Sequence, residues 1–228
     1  MRRAFAEAIG TAFLVMAVVG SGIAASRLSP SDPGLQLLEN ALATAAALAA
    51  IILAVGPVSG AHLNPVITLV DLAFGGLSAR AAFGYVIAQV SGGALGAMVA
   101  NLMYGLAPIT ASAHERSGAG MWLAEVIATL GLVLVVFGVD RSGRTHVAPF
   151  AVGAYIGAAY FFTSSTSFAN PAVTLARTLT DTFSGISPAS APAFVLAQLV
   201  GGAVGLGLVW LLYPQVRAAT DLATVQHK

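Results

Sequence analysis

The sequence predicts an all-α membrane protein with six transmembrane helices and two re-entrant half-helices, arranged as an inverted repeat of three helices. Three observations lead to this fold class. Only 8% of the 228 residues are charged and 57% are hydrophobic, whereas about 25% of the residues in soluble domains are charged. Apolar stretches long enough to cross a bilayer recur along the chain. Sequence patterns of the first half also return in the second half, in the same order.

The composition excludes several classes of protein. A soluble fold of this size could not cover its surface with 10 Lys+Arg and 9 Asp+Glu, so a soluble enzyme and a disordered chain are excluded. The net charge of +1 gives no basic field for nucleic acid, and no nucleic-acid partner is expected. The sequence has no cysteine, which excludes disulfides and thiolate metal sites. Membrane lipid and small solutes are the expected partners.

Six apolar runs have about the 20 residues that a spanning helix needs. They cover approximately residues 4–26, 36–56, 80–104, 120–139, 146–164 and 190–213. The first run follows two arginines as in a signal peptide, but Glu7 interrupts it and no clear cleavage site follows, so we interpret it as a retained span. The second is rich in alanine, which favours close helix packing. All six are expected to form one membrane domain over residues 1–228.

Basic residues predict the orientation of the spans, because they concentrate on the cytoplasmic side. The side that holds both termini carries Arg2, Arg3, Arg80, Arg141, Arg144, Arg217 and Lys228. The other side carries Arg27, Arg116 and Arg177. The sequence therefore predicts a multi-pass protein of the inner (plasma) membrane with both termini in the cytoplasm.

An internal repeat relates the two halves, approximately residues 1–105 and 118–215. Residues 6–11 recur as 124–129, 64–66 as 170–172, and 86–94 as 195–203. Each half contains three spans, an odd number, so the two copies must insert with opposite topology. The interface between such inverted repeats normally holds the transport path.

Two shorter apolar runs, about residues 64–75 and 170–180, each begin at an Asn-Pro pair. Short apolar segments at matching places in two halves are typical of re-entrant half-helices. Asn is a favoured N-cap and Pro a favoured first helical residue. The N-terminus of a helix carries unpaired N–H groups and a partial positive charge. Two such N-termini meeting near the bilayer midplane would offer donors to a solute and repel cations.

These motifs resemble those of the major intrinsic proteins, the aquaporin family. The resemblance covers nearly the whole chain and rests on residues 59–66 (Ser-Gly-Ala-His-Leu-Asn-Pro-Val), on Asn-Pro-Ala at 170–172, and on the repeated glutamates. It implies an hourglass pore in each subunit of a homotetramer, and a channel rather than an enzyme. No cofactor or metal is expected, because no metal-ligand spacing or nucleophile–base pair occurs.

The resemblance assigns roles to individual residues. Asn64 and Asn170 are implied as the central donors of the pore. Glu7 and Glu125 resemble buried glutamates that hold the re-entrant loops through backbone N–H groups. His62 resembles a loop histidine beside the pore on the cytoplasmic side, with a packing role as the alternative. Two glutamines, Gln89 and Gln198, are expected to form hydrogen bonds between helices.

The chain departs from the family at the outer filter. Water and glycerol channels of the family usually read Asn-Pro-Ala-Arg, whereas this chain has Val173 in place of the arginine. The filter position in the second span falls on Thr44, where an aromatic is common, and the loop position falls on Ser167. In the fifth span we select Tyr160, with Ala158 as the alternative. The first motif also departs, ending in Val66 where Ala is usual.

A filter that lacks arginine and a bulky aromatic is expected to be wider and less positive. Arg177 lies one helical turn beyond Val173. It is expected in the outer vestibule, with a filter role or an ion pair with Asp181 as alternatives. Residues 114–116 are expected to form a solvated extracellular loop.

Valine at the filter position resembles bacterial aquaporins associated with arsenic resistance. The resemblance implies a passive channel for small uncharged solutes, including arsenous acid and similar metalloid hydroxides, with water and glycerol as further solutes. One alternative is a channel mainly for water or glycerol. A more remote alternative is a secondary active transporter, which normally needs an intramembrane ion-coupling site. The only carboxylates in the predicted spans are Glu7 and Glu125, which match the loop-holding positions.

Overall fold

The computed structural model describes residues 1–214, and this part of the chain contains eight α-helices and no strand. The helices are α1 (Arg2–Leu28), α2 (Pro33–Ser59), α3 (Pro65–Ala73), α4 (Ala79–Met103), α5 (Ala119–Arg141), α6 (Ala148–Phe162), α7 (Pro171–Arg177) and α8 (Ala191–Leu212). The predicted all-α architecture is confirmed. Arg217 and Lys228, which contributed to the predicted orientation, lie outside the described residues.

Five of the helices are long and apolar enough to cross a membrane, namely α1, α2, α4, α5 and α8. The remaining predicted span, 146–164, is shorter than expected. It forms the 15-residue helix α6, preceded by a 3-10 turn at Thr145–Val147. Fifteen helical residues rise about 22 Å, against a hydrocarbon core of about 30 Å. The helix ends at Phe162, where a polar run of threonines and serines at 163–167 begins the second re-entrant loop.

Close helix crossings occupy equivalent places in the two halves. Helix α1 packs against α4, and α5 packs against α8. A Cβ atom at Gly92 would overlap the carbonyl oxygen of Ala8, and one at Gly201 would overlap that of Val126. These glycines belong to the sequence pattern that recurs in the two halves. Only a residue without a side chain lets the backbones approach this closely.

The two half-helices begin as their sequences predict. Asn64 is the N-cap of α3, and its side-chain oxygen accepts a hydrogen bond from the backbone N–H of Val66. Asn170 caps α7 in the same way, accepting from the N–H groups of Ala172 and Val173. In both cases a proline occupies the first helical position.

Candidate functional site

The two motif asparagines meet in the centre of the protein. The amide nitrogen of Asn64 donates to the carbonyl oxygen of Ala169 at 2.7 Å, and that of Asn170 donates to the carbonyl oxygen of Leu63, also at 2.7 Å. Each half-helix is thus bound at its N-terminus to the loop that precedes the other. Each amide nitrogen has two hydrogens, so one remains for another acceptor.

The carboxylate of Glu7 holds the loop before α3. One oxygen accepts from the Ser59 hydroxyl at 2.6 Å and the backbone N–H of His62 at 3.0 Å. The other accepts from the N–H of Leu63 at 2.7 Å and the side-chain amide of Gln89 at 2.8 Å. Glu7 is fully buried, and a buried carboxylate is tolerated when its oxygens are paired in this way.

The carboxylate of Glu125 makes the corresponding contacts before α7. One oxygen accepts from the Ser165 hydroxyl at 2.6 Å and the N–H of Phe168 at 2.9 Å. The other accepts from the N–H of Ala169 at 2.9 Å and the side-chain amide of Gln198 at 2.6 Å. Both glutamines therefore form the expected bonds between helices.

These contacts support an unusual backbone. Ala61 and Leu63 have φ angles of 50° and 51°, and Ser167 and Ala169 have φ angles of 52° and 49°. The left-handed region costs a non-glycine residue about 1–2 kcal/mol. The loops keep this conformation because a buried carboxylate binds their N–H groups, and the conformation places Leu63 and Ala169 opposite the motif asparagines.

A cavity of about 720 Å³ passes these asparagines and connects two groups of residues. At one end it is lined by Asp71, Asp140 and His146, and we call this the inner end. At the other it is lined by Tyr160, Ser167, Phe168, Val173 and Arg177, and we call this the outer end. In the middle lie Asn64 and Asn170. The arrangement is that of a pore with an amide-lined centre.

All four predicted filter residues line the outer end of this cavity. The hydroxyl oxygens of Thr44 and Tyr160 lie 3.2 Å apart, which joins α2 to α6 at this level. Of the two residues considered in the fifth span, Tyr160 lines the cavity, whereas Ala158 is exposed and does not. The large side chain of Tyr160 thus reaches the small Thr44.

Arg177 lies deeper than expected for a vestibule residue. It is only 2% exposed and lines the cavity. Its Nε donates to the carbonyl oxygen of Ser184, and its Cζ lies 3.4 Å from the centre of the Phe168 ring. Among residues 1–214, Arg177 forms no ion pair with Asp181, so that alternative is wrong. Helix α7 ends at Arg177, and the four-residue spacing therefore does not place Asp181 on the same helix face.

Asp181 contacts another loop. Its carboxylate accepts from the backbone N–H of Ala113 at 2.9 Å and lies 3.8 Å from Nε2 of His114. Arg116 also departs from the expected solvated loop, since it is only partly exposed. Its guanidinium donates to the carbonyl oxygens of Gly185 at 2.8 Å and Phe183 at 3.3 Å. The Arg116 Cζ lies 5.2 Å from the centre of the Phe168 ring.

Sequence reasoning missed Phe168 and Arg116 as parts of this end of the pore. Phe168 adjoins a filter residue, and its position two residues before the Asn-Pro pair was the available signal. No signal pointed to Arg116, because its contacts depend on how the loop after α7 folds.

At the inner end, His62 combines both roles considered for it. Its ring Nδ1 lies 3.2 Å from the Thr68 hydroxyl, and Nε2 lies 3.6 Å from the Asp71 carboxylate. The ring also packs edge-on against Tyr85, and His62 lines the cavity. Asp71 was not predicted as a site residue. Within the described residues, no group of three or more His, Asp or Glu side chains is placed to hold a metal.

Known proteins are similar to this chain in sequence. The family model of the major intrinsic proteins matches residues 1–169 and 148–228. Aquaglyceroporin AqpS of Rhizobium meliloti (strain 1021) is 50% identical, with 93% of this chain and 91% of the relative covered. Lens fiber major intrinsic protein of Rattus norvegicus is 30% identical, with coverage of 98% and 86%.

A solved structure has the same fold. The X-ray structure of the aquaglyceroporin from Plasmodium falciparum matches with a TM-score of 0.74 at 21% identity, over 95% of this chain and 98% of that one. Together, the family match and the relatives identify the fold of the pore described above. The chain belongs to the major intrinsic protein family, whose members are membrane channels and not enzymes.

Proposed function

We propose that this chain is a passive channel for small uncharged solutes, including arsenous acid and similar metalloid hydroxides, as well as water and glycerol. The observation that carries the proposal is Val173, an apolar residue at the filter position where an arginine is usual. Three residues with hydroxyl groups, Thr44, Tyr160 and Ser167, line the cavity together with Val173. A neutral solute with several hydroxyl groups finds hydrogen-bonding partners and an apolar wall there.

The centre of the pore favours neutral solutes. Asn64 and Asn170 offer amide N–H groups, and the N-termini of α3 and α7 carry partial positive charges that oppose cations. Glu7 and Glu125 lie beside this region, but four donors surround each of them. They therefore serve as loop supports and offer no free ion-coupling site, which argues against a secondary active transporter.

The filter supports passage of arsenous acid in particular. This acid is uncharged at neutral pH and presents hydroxyl groups in several directions. Arginine at position 173 would add a fixed charge and five N–H donors to the constriction, and valine adds neither. Ser167 also lines the cavity, and its buried hydroxyl has no hydrogen-bond partner in the described protein.

A channel mainly for water or glycerol is the second candidate. The relative with 50% identity carries the name aquaglyceroporin, and the contact between Tyr160 and Thr44 keeps the filter narrower than the small Thr44 alone suggests. The two candidates differ in the permeability of arsenous acid relative to glycerol, which are both small polyhydroxy solutes.

We also propose that the channel is a homotetramer in the inner membrane, with both termini in the cytoplasm. Large apolar side chains are exposed on several helices, among them Phe13, Leu42, Phe83 and Phe150. Such surfaces require lipid or other copies of the chain around them.

Fluxes in proteoliposomes test the proposed function. The purified chain is reconstituted, and the permeabilities of arsenous acid, glycerol and water are compared with those of empty vesicles. A passive channel predicts arsenous acid flux that rises linearly with concentration and stops when the gradient is gone. Water and glycerol flux without arsenous acid flux would support the second candidate. Saturable accumulation against a gradient would contradict a channel altogether.

A further inference from the structure

Two guanidinium groups converge on one aromatic ring at the outer end of the pore. The Cζ atoms of Arg177 and Arg116 lie 3.4 Å and 5.2 Å from the centre of the Phe168 ring. Two side chains that carry like charge repel each other when they share a partly buried site. An arrangement of this kind needs a compensating negative group.

Acidic side chains do not supply this compensation. Over residues 1–214, no carboxylate oxygen lies within 4 Å of an arginine nitrogen. Glu125 is in electrostatic range, but both of its oxygens are occupied by the loop before α7. Burial lowers the pKa of Arg116, and the Glu125 charge offsets only part of this effect. Besides the Phe168 ring, the two guanidinium groups contact only dipoles, namely three carbonyl groups of residues 183–185.

Hydrogen-bond donors remain free at this site. A guanidinium has five N–H groups, and Arg177 uses only its Nε in the described protein. Arg177 nevertheless lines the cavity. The neighbouring Ser167 lines the same cavity, and its buried hydroxyl has no partner in the described protein. The outer end therefore holds two positively charged groups that have no ion-pair partner within 4 Å, and the Arg177 guanidinium keeps unpaired N–H donors.

We propose that Arg116, Arg177 and Phe168 form a binding site for a small oxyanion at the outer end of the pore, and that a bound oxyanion obstructs solute passage. Planar guanidinium groups bind phosphate-like and carboxylate groups through paired hydrogen bonds. Because Arg177 is part of the cavity wall, an anion bound to it reduces the free cross-section. The site goes beyond the proposed function, since it does not depend on which neutral solute the channel conducts.

Binding is tested without transport, on the purified full-length channel in detergent free of phosphate. Thermal unfolding is followed in sodium phosphate and in sodium chloride of matched ionic strength. The wild type is expected to gain several degrees in midpoint with phosphate, because a ligand that binds only the folded state stabilises it. Arg116→Gln is expected to lose this gain. Arg116 is suited to the test because it lies outside the transmembrane helices and is partly exposed.

Arg27→Gln is the matched control. Arg27 likewise contacts an aromatic ring, that of Tyr104 at 5.1 Å, and donates to a backbone carbonyl oxygen, that of Tyr104 at 2.9 Å, but it contacts neither Phe168 nor residues 183–185. This variant is expected to retain the gain in phosphate. Equal midpoints for the wild type in phosphate and chloride would overturn the proposal, as would an undiminished phosphate gain in Arg116→Gln.

Obstruction is tested by water flux in phosphatidylcholine vesicles, with phosphate or chloride on both sides. Phosphate is expected to reduce the flux of the wild type and of Arg27→Gln, and to leave that of Arg116→Gln unchanged. A second set of vesicles contains phosphatidic acid and only chloride. Reduced flux in this set would identify a lipid headgroup as a source of the oxyanion, and unreduced flux would identify the dissolved anion as the source. If phosphate does not reduce the water flux of the wild type, the proposed obstruction is overturned, even if the chain is confirmed as a channel for neutral solutes.

Discussion

Glu7 in the first half and Glu125 in the second make the same set of contacts: a serine hydroxyl, two loop N–H groups and a glutamine amide. The motif asparagines bind each other's loops at equal distances. The two halves are thus alike in the contacts that hold the half-helices. These contacts fix the backbone of the pore centre. Because each motif asparagine binds the loop of the other half, a shift of one half-helix would also move the opposite loop.

The halves differ at the ends of the half-helices. Seven residues after the motif asparagine stands Asp71 in the first half and Arg177 in the second; two residues before it stand His62 and Phe168. The positions pair in the same way, since Asp71 contacts the His62 ring and Arg177 contacts the Phe168 ring. The charge is opposite. A repeated geometry therefore gives the pore a negative inner end and a positive outer end.

The largest expected effect comes from breaking the shared support. Glu7→Gln and Glu125→Gln each place an NH₂ group among hydrogen-bond donors and leave buried N–H groups unpaired. We expect each to lower the free energy of unfolding by about 3 kcal/mol or more, with similar losses in the two halves. Thermal unfolding in detergent measures this. A wild-type midpoint in either variant would contradict the assigned support.

A smaller loss is expected where the packing of the halves differs. A Cβ atom at Gly202 would overlap the Val66 side chain, whereas at the equivalent Gly93 it would lie 3.2 Å from the Ala172 carbonyl oxygen. Gly202→Ala is expected to destabilise the channel by about 1–3 kcal/mol through overpacking. Adding Val66→Ala is expected to restore most of this stability. Thermal unfolding measures both variants. If the unfolding midpoint of the double variant is no higher than that of Gly202→Ala alone, Val66 is not the obstructing group.

The opposite charges of the two ends predict unequal ion leaks. Arg177→Gln removes a positive charge from the outer wall, and we expect proton leak to rise severalfold because less charge opposes cations. Asp71→Asn removes a negative charge from the inner end and is expected to leave the leak low. A pH-sensitive dye inside proteoliposomes reports both. Equal leaks from the two variants would show that the charge of Arg177 adds nothing to the cation barrier at the pore centre.

The smallest effect is expected from Tyr160→Phe. This change keeps the ring and removes the hydroxyl that lies 3.2 Å from the Thr44 hydroxyl. The loss in stability is expected to be about 1 kcal/mol, the contribution of one hydrogen bond. Glycerol flux is expected to change more than water flux, since glycerol needs more of the filter's hydrogen-bonding groups. Identical changes in both fluxes would show that Tyr160 acts by size alone.

The repeated elements were predictable from the sequence because they are encoded by local signals. Asn-Pro pairs specify helix starts, and glutamates within apolar spans require buried partners. The ends of the pore were less predictable. The partners of Arg177 depend on a loop whose backbone carbonyls carry no sequence signal. Arg116 joins the site only because residues 183–185 fold against it.

The central claim is that Val173 at the outer filter sets which solutes pass. The most direct test is the ratio of arsenous acid permeability to water permeability in proteoliposomes of the wild type, Val173→Arg and Val173→Leu. The account predicts that Val173→Arg lowers this ratio by about tenfold or more, since a charge and five donors enter the constriction, while Val173→Leu, which adds only volume, lowers it much less. An unchanged ratio in Val173→Arg, or equal reductions in the two variants, would contradict the claim.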